Sequence, residues 1–98
     1  MVSVLLRHKV NDVPAWKTAF QNAIEMRRSA GERSFRVFHS DSDPSEIVIL
    51  FEFESKDRAV DYFNSDKLRE TMKKAGVAGE PNITYLHQMV ITRRTAAD

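Results

Sequence analysis

Two histidines in this chain stand where an imidazole could act as a base. His8 and His87 share the same parity within two apolar, β-branched runs at 2–10 and 83–92. Alternation along extended strands therefore puts both on one sheet face. If the two strands are antiparallel neighbours, the end of the first meets the start of the second. His8, His87 and Tyr85 then fall within a few residues of one another. Burial there lowers the basicity of an imidazole and keeps it neutral near pH 7, the state a general base needs. His8 is the expected base, with His87 or Tyr85 orienting it. Both histidines also suit half-buried strand positions bonded to a carbonyl or a hydroxyl. Trp16 falls near the mouth of a pocket at that end, and its indole N–H wants a partner when buried. Trp16, Phe20, Phe63, Met72 and Tyr85 are the kind of side chains that wall a small-molecule pocket. They equally suit an ordinary core.

Other chemistries lack their residues. There is no cysteine, so thiol catalysis and Cys-bound clusters are excluded. Three histidines invite a zinc site. His39, however, ends the second strand, at the other edge and the other end of the sheet. No metal is expected. The chain has no phosphate-cradling G-x-x-x-x-G-K-[ST], no G-x-S-x-G and no H-E-x-x-H. Asp41 and Asp43 flank a turn and read as turn formers. Arg69, Lys73 and Lys74 are offset by Asp66 and Glu70, as on a solvated helix face.

The elements that must position these residues follow from periodicity. Residues 2–10 alternate as a strand. Asn11-Asp12 offers an N-cap, Pro14 fits the first helical turn, and Trp16, Ala19, Phe20, Ala23 and Ile24 form the stripe of a helix. Arg27 and Arg28 suit its C-terminal end, before a stop at Gly31. Strands are predicted at 34–40 and 46–54, joined by the turn DSDPS. Ser55 caps a second helix, interrupted at Asn64-Ser65, with a fresh cap at Ser65 or Asp66 and a stop at Gly76. Residues 77–82 read as a loop, 83–92 as the last strand and 93–98 as a frayed polar tail. The order βαββαβ predicts an α+β, ferredoxin-like fold: one four-stranded antiparallel sheet with helices on one face. Strands one and three are central.

The second sheet face carries Leu5, Arg7, Arg36, Phe38, Val48, Leu50, Glu52, Leu86 and Val90. An open face should be mostly polar. So much apolar surface marks an interface, and the simplest closure is a two-fold homodimer packed sheet to sheet. Scattered surface apolarity is the plainer alternative.

With 98 residues, one domain is expected over 1–98. Lys and Arg number 15 against 14 Asp and Glu. That balance gives no basic footprint for nucleic acid, and the exposed base-stacking aromatics of RNA-binding sheets are missing. No apolar run approaches the ~20 residues of a membrane span. The first charge comes at Arg7, so no secretory leader is expected, and a cytoplasmic location is the default.

The runs RHKVNDVPAWKTAF, DSDPSEIVILFEFES and AVDYFNSDKLRETMKKAGVAGEPNITYL resemble small bacterial proteins of the dimeric α+β-barrel superfamily. The similarity is greatest to the antibiotic biosynthesis monooxygenase-like family, over about residues 3–90. The resemblance implies a homodimer and a pocket between sheet and helices in each protomer. It implies activities ranging from cofactor-free oxygenation of aromatic polyketides to haem degradation and isomerisation. Trp16, Tyr85 and Arg36 are similar in kind to the polar residues such oxygenases use. No cofactor is expected, and the ligand implied is a small apolar or aromatic molecule. The leading reading is a monooxygenase or related enzyme acting on an aromatic or enolic metabolite. The alternative is a non-catalytic ligand-binding or dimerisation module. Haem degradation stands third, because bulky core aromatics leave little room.

Overall fold

A computed structural model describes residues 1–92. The tail predicted at 93–98 lies outside the described residues. The elements are β1 (Val2–Val10), α1 (Val13–Asn22), α2 (Ile24–Ser29), β2 (Glu32–His39), β3 (Glu46–Phe53), α3 (Lys56–Phe63), α4 (Asp66–Lys74) and β4 (Val77–Leu86). The sheet runs β2-β3-β1-β4 and every pairing is antiparallel. This is the ferredoxin-like order expected from the sequence, with β1 and β3 central.

Capping side chains set the helix starts. The Asp12 carboxylate accepts from the Ala15 amide at 3.0 Å. Ser55 and Ser65 accept from Arg58 and Leu68 in the same way. The first helical stretch is divided at Ala23, whose ψ of 7° leaves the helical range. Arg27 N–H bonds the Ala23 carbonyl, so the second helix starts at the residue where the first ends.

Alternation builds the core. Val2, Val4, Leu6, His8 and Val10 are buried along β1, as are Ile47, Ile49, Phe51 and Phe53 along β3. Leu6 pairs with Ile49 and Val4 with Phe51. Trp16, Ala59, Tyr62, Phe63 and Leu68 cover this face from the helices. Each large side chain fully buried here stabilises the fold by about 2 kcal/mol.

The last strand departs from expectation. It begins at Val77 and ends at Leu86, so 77–82 is strand and 87–92 is not. Gly, Pro and Asn argue for a loop, but β4 is an edge strand, where a proline's missing N–H is tolerated. Arg7 pairs with Asn82 and Lys9 with Ala78, so Gly79, Glu80 and Pro81 all stand opposite His8. That is a bulge, and Gly79 takes its φ of +71°.

The open face keeps most of its expected residues. Leu5 pairs with Leu50 and Phe38 with Val48. Phe38 is 49% exposed and Leu86 40%. Arg7 bonds Glu46 at 3.2 Å. Glu52 accepts from the Ser3 hydroxyl at 2.7 Å, and Arg36 lies by the Phe38 ring. Val90 is a correction: it lies beyond β4 and is 95% exposed, so it is not on the sheet.

Candidate functional site

A half-enclosed cavity of about 50 Å³ lies between the sheet and the helices. β1 brings Leu6 and His8 to it, α1 brings Trp16 and Phe20, α2 brings Arg27, and the second helical pair brings Tyr62, Phe63 and Met72. Its volume suits a few water-sized molecules. Polycyclic ligands need roughly 300 Å³ or more. Met72 also lines a groove of about 640 Å³ between α4 and β4. This half-buried side chain therefore stands between the small inner cavity and a much larger outer one. Methionine has three rotatable bonds and re-packs readily.

His8 is 5% exposed. Neither ring nitrogen has a hydrogen-bond partner among the described residues. Burial pushes its pKa down from the usual 6.5 to about 4, because a desolvated imidazolium is disfavoured. The ring is neutral at pH 7 and has a free lone pair.

An aromatic row leads away from it. The His8 and Trp16 ring centres are 5.7 Å apart. Trp16 stacks on Phe20 at 5.1 Å, and Phe20 meets Phe35 edge-on at 5.1 Å. The Arg27 guanidinium carbon sits 3.7 Å from the Phe20 ring centre. Arg27 is 2% exposed. Its Nε donates to Glu32 at 2.5 Å and its Nη1 to the Phe20 carbonyl at 2.6 Å. Burial raises the Glu32 pKa, and Arg27 beside it opposes that rise. Burial also pushes the Tyr62 hydroxyl up to about 12, so it stays protonated.

Five of the expected residues line this cavity together: His8, Trp16, Phe20, Phe63 and Met72. Tyr85 does not. It pairs with Val4, half-buried on the same face, and burial raises its pKa. The expected meeting of His8 and His87 is corrected by the register. Leu86 pairs with Ser3, so His87 lies beyond the strand at the opposite end of β1, exposed and roughly 16 Å or more from His8 at 3.3 Å per residue. His39 is exposed, and its Nδ1 lies 3.1 Å from the Ser40 carbonyl. Among the described residues no three His, Asp or Glu side chains converge as a metal set. No helix among them is long and apolar enough to cross a membrane.

Sequence reasoning missed Arg27 and Tyr62. Arg27 follows Phe20 by seven positions and Trp16 by eleven. It therefore continues the inner stripe of the helix, a charge where an apolar residue belongs. Tyr62 stands beside Phe63 on the stripe begun by Ala59.

The family model for antibiotic biosynthesis monooxygenases matches residues 1–74. The chain belongs to the antibiotic biosynthesis monooxygenase family. His8, Trp16, Phe20, Arg27, Phe63 and Met72 all lie within the matched part of this family member, and Tyr85 and His87 lie beyond it. Solved structures share the fold at low identity. A Bordetella bronchiseptica protein provisionally named as an antibiotic biosynthesis monooxygenase has a TM-score of 0.73 at 16% identity, over 91% of this chain and 97% of its own. A conserved protein from Methanosarcina mazei Go1 scores 0.70 at 16% identity, over 90% and 92%. SnoaB from Streptomyces nogalater, described as a cofactor-independent oxygenase, scores 0.67 at 12% identity, over 91% and 95%. No curated protein matches the chain.

Proposed function

We propose that this family member is a cofactor-independent monooxygenase that deprotonates an acidic phenol or enol and lets the carbanion react with dioxygen. The observation that carries the reading is His8: buried, neutral, on the cavity wall, with both nitrogens unbonded within the protein among the described residues. The shared fold of SnoaB, itself described as a cofactor-independent oxygenase, supports it.

One His8 nitrogen takes a proton from the activated CH2 group that the phenol or enol carries in its keto tautomer. The imidazolium is disfavoured alone in this desolvated site, but a carbanion formed beside it stabilises it as an ion pair. The carbanion reduces dioxygen, a C–O bond forms, and the imidazolium returns its proton to give a hydroperoxide. Loss of water then leaves a carbonyl. The CH2 group and O2 become C=O and H2O, so the substrate supplies all the electrons. Trp16 walls the site. In this scheme the substrate enters from the outer groove by displacing Met72. The working unit is a homodimer closed through Leu5, Phe38, Val48, Leu50 and Leu86, with Arg7, Arg36 and Glu52 at its margin.

Oxygen uptake with a panel of polycyclic phenols tests this. His8→Ala is expected to slow uptake about a hundredfold or more, the usual worth of a positioned base, while the assembly stays intact. An unchanged rate removes His8 from the mechanism.

A further inference from the structure

Four helices line the inner cavity together with the sheet. Three of them are tied to a neighbouring element by a charged side chain. Arg27 of α2 donates to Glu32 of β2 and to the Phe20 carbonyl of α1. Arg58 of α3 donates to the Ser29 carbonyl of α2 at 2.6 Å. The fourth helix, α4, has no such tie. Thr71 bonds the Lys67 carbonyl and Arg69 bonds Asp66, both within the helix. Among the described residues no side chain at 66–74 bonds another element. Leu68 is the one buried residue of α4, and Thr71 and Met72 are half-buried. Apolar contact alone holds this helix against the cavity, and such contact has no preferred direction.

The two ends of α4 are anchored where the chain turns. Ser65 is extended, with ψ of 143°, and its hydroxyl donates to the Tyr62 carbonyl at 2.7 Å. Gly76 follows the helix with φ of +80°, which glycine adopts without strain. Its carbonyl accepts from the Asn11 amide at 2.9 Å. Lid hinges are commonly a few element-terminal residues of this kind. Beyond α4 lies the groove of about 640 Å³ that it walls together with β4, and Met72 lines both spaces.

We infer that α4 is a lid that swings about Ser65 and Gly76 and merges the inner cavity with the outer groove. Closed, the cavity of about 50 Å³ holds a few water-sized molecules. Open, the site takes a ligand of roughly 300 Å³ or more. Leu68, Thr71 and Met72 travel with the lid and close over the ligand. His8 on β1 and Trp16 on α1 stay in place. The site therefore adjusts its depth to apolar ligands of different thickness. This goes beyond the oxygenase reading and holds whatever reaction His8 performs.

Trp16 is the only tryptophan in the chain and lines the cavity, so its fluorescence reports the opening. The test is acrylamide quenching of the full chain. Leu68→Ala removes the buried anchor of α4 and is expected to raise the quenching constant about threefold or more. Val2→Ala trims a buried side chain that does not line the cavity, and should leave the wild-type value unchanged. Urea below the unfolding transition should not add to the quenching of Leu68→Ala, because a swing exposes little surface. Leu68→Val serves if Leu68→Ala fails to fold. Wild-type quenching in the folded Leu68 variant overturns the inference. So does an equal rise in the Leu68 variant and Val2→Ala, or a steady climb with urea, since either means that the whole domain opens. No reaction is involved, so the lid can stand while oxygen uptake fails, and the reverse.

Discussion

Gly79 opens a bulge in β4 opposite His8. On its other side His8 pairs regularly with Ile47. Toward β4 three residues occupy the space of one. The buried imidazole thus sits where the ladder on one flank is interrupted, a setting in which bulges commonly re-aim a side chain.

His8 ties stability to pH. Its pKa is about 4 when folded and near 6.5 when unfolded. Between those values the unfolded chain holds more protons, so stability is complete above pH 6.5 and falls as pH drops toward 4. The loss attributable to His8 is about 3 kcal/mol, from ~1.4 kcal/mol per pKa unit. Glu32, with its pKa raised, contributes in the opposite direction. Urea unfolding of the wild type and His8→Leu at pH 7 and pH 4 isolates the effect. The wild type should lose about 3 kcal/mol more than the variant. Parallel losses would mean that His8 is not desolvated.

In the proposed entry route Met72 limits the size of the ligand admitted. Met72→Ala joins the inner cavity to the outer groove and is expected to admit larger planar ligands, at a cost of about 1 kcal/mol for a half-buried truncation. Met72→Trp should exclude them. Affinities for aromatic probes of one to four fused rings check both variants. The same cut-off in all three proteins would place the entrance elsewhere.

Leu50 lies at the middle of the open sheet face, beside Leu5 on β1 and Arg36 on β2. Leu50→Asp puts a charge there while leaving the covered face untouched. Sedimentation at micromolar concentration should show a dimer for the wild type and a monomer for the variant. A dimer in both would move the interface off this face.

Most of the fold is legible because its signals are local. The caps at Asp12, Ser55 and Ser65, and the alternation through β1 and β3, need only near neighbours. β4 is not legible in this way. Gly79 and Pro81 are turn residues by type, and only their place at an edge beside β1 makes them strand residues. That one shift of six residues moved His87 from the expected site to the far end of the sheet. His8, Trp16, Phe20, Phe63 and Met72 converge as their stripes require. Arg27 was hidden by its type. Cations are ordinary near a helix end, so only the stripe it shares with Trp16 and Phe20 marks it as inward. Its partner Glu32 heads β2, and no local pattern links the two.

The nitrogens of His8 and Arg27 that have no partner among the described residues bear on how long the protein lasts. A domain of this length has a margin of only about 5–10 kcal/mol. Buried polar atoms without partners lower that margin. A ligand bonded to them restores it, so the occupied form opens less often and survives proteolysis longer.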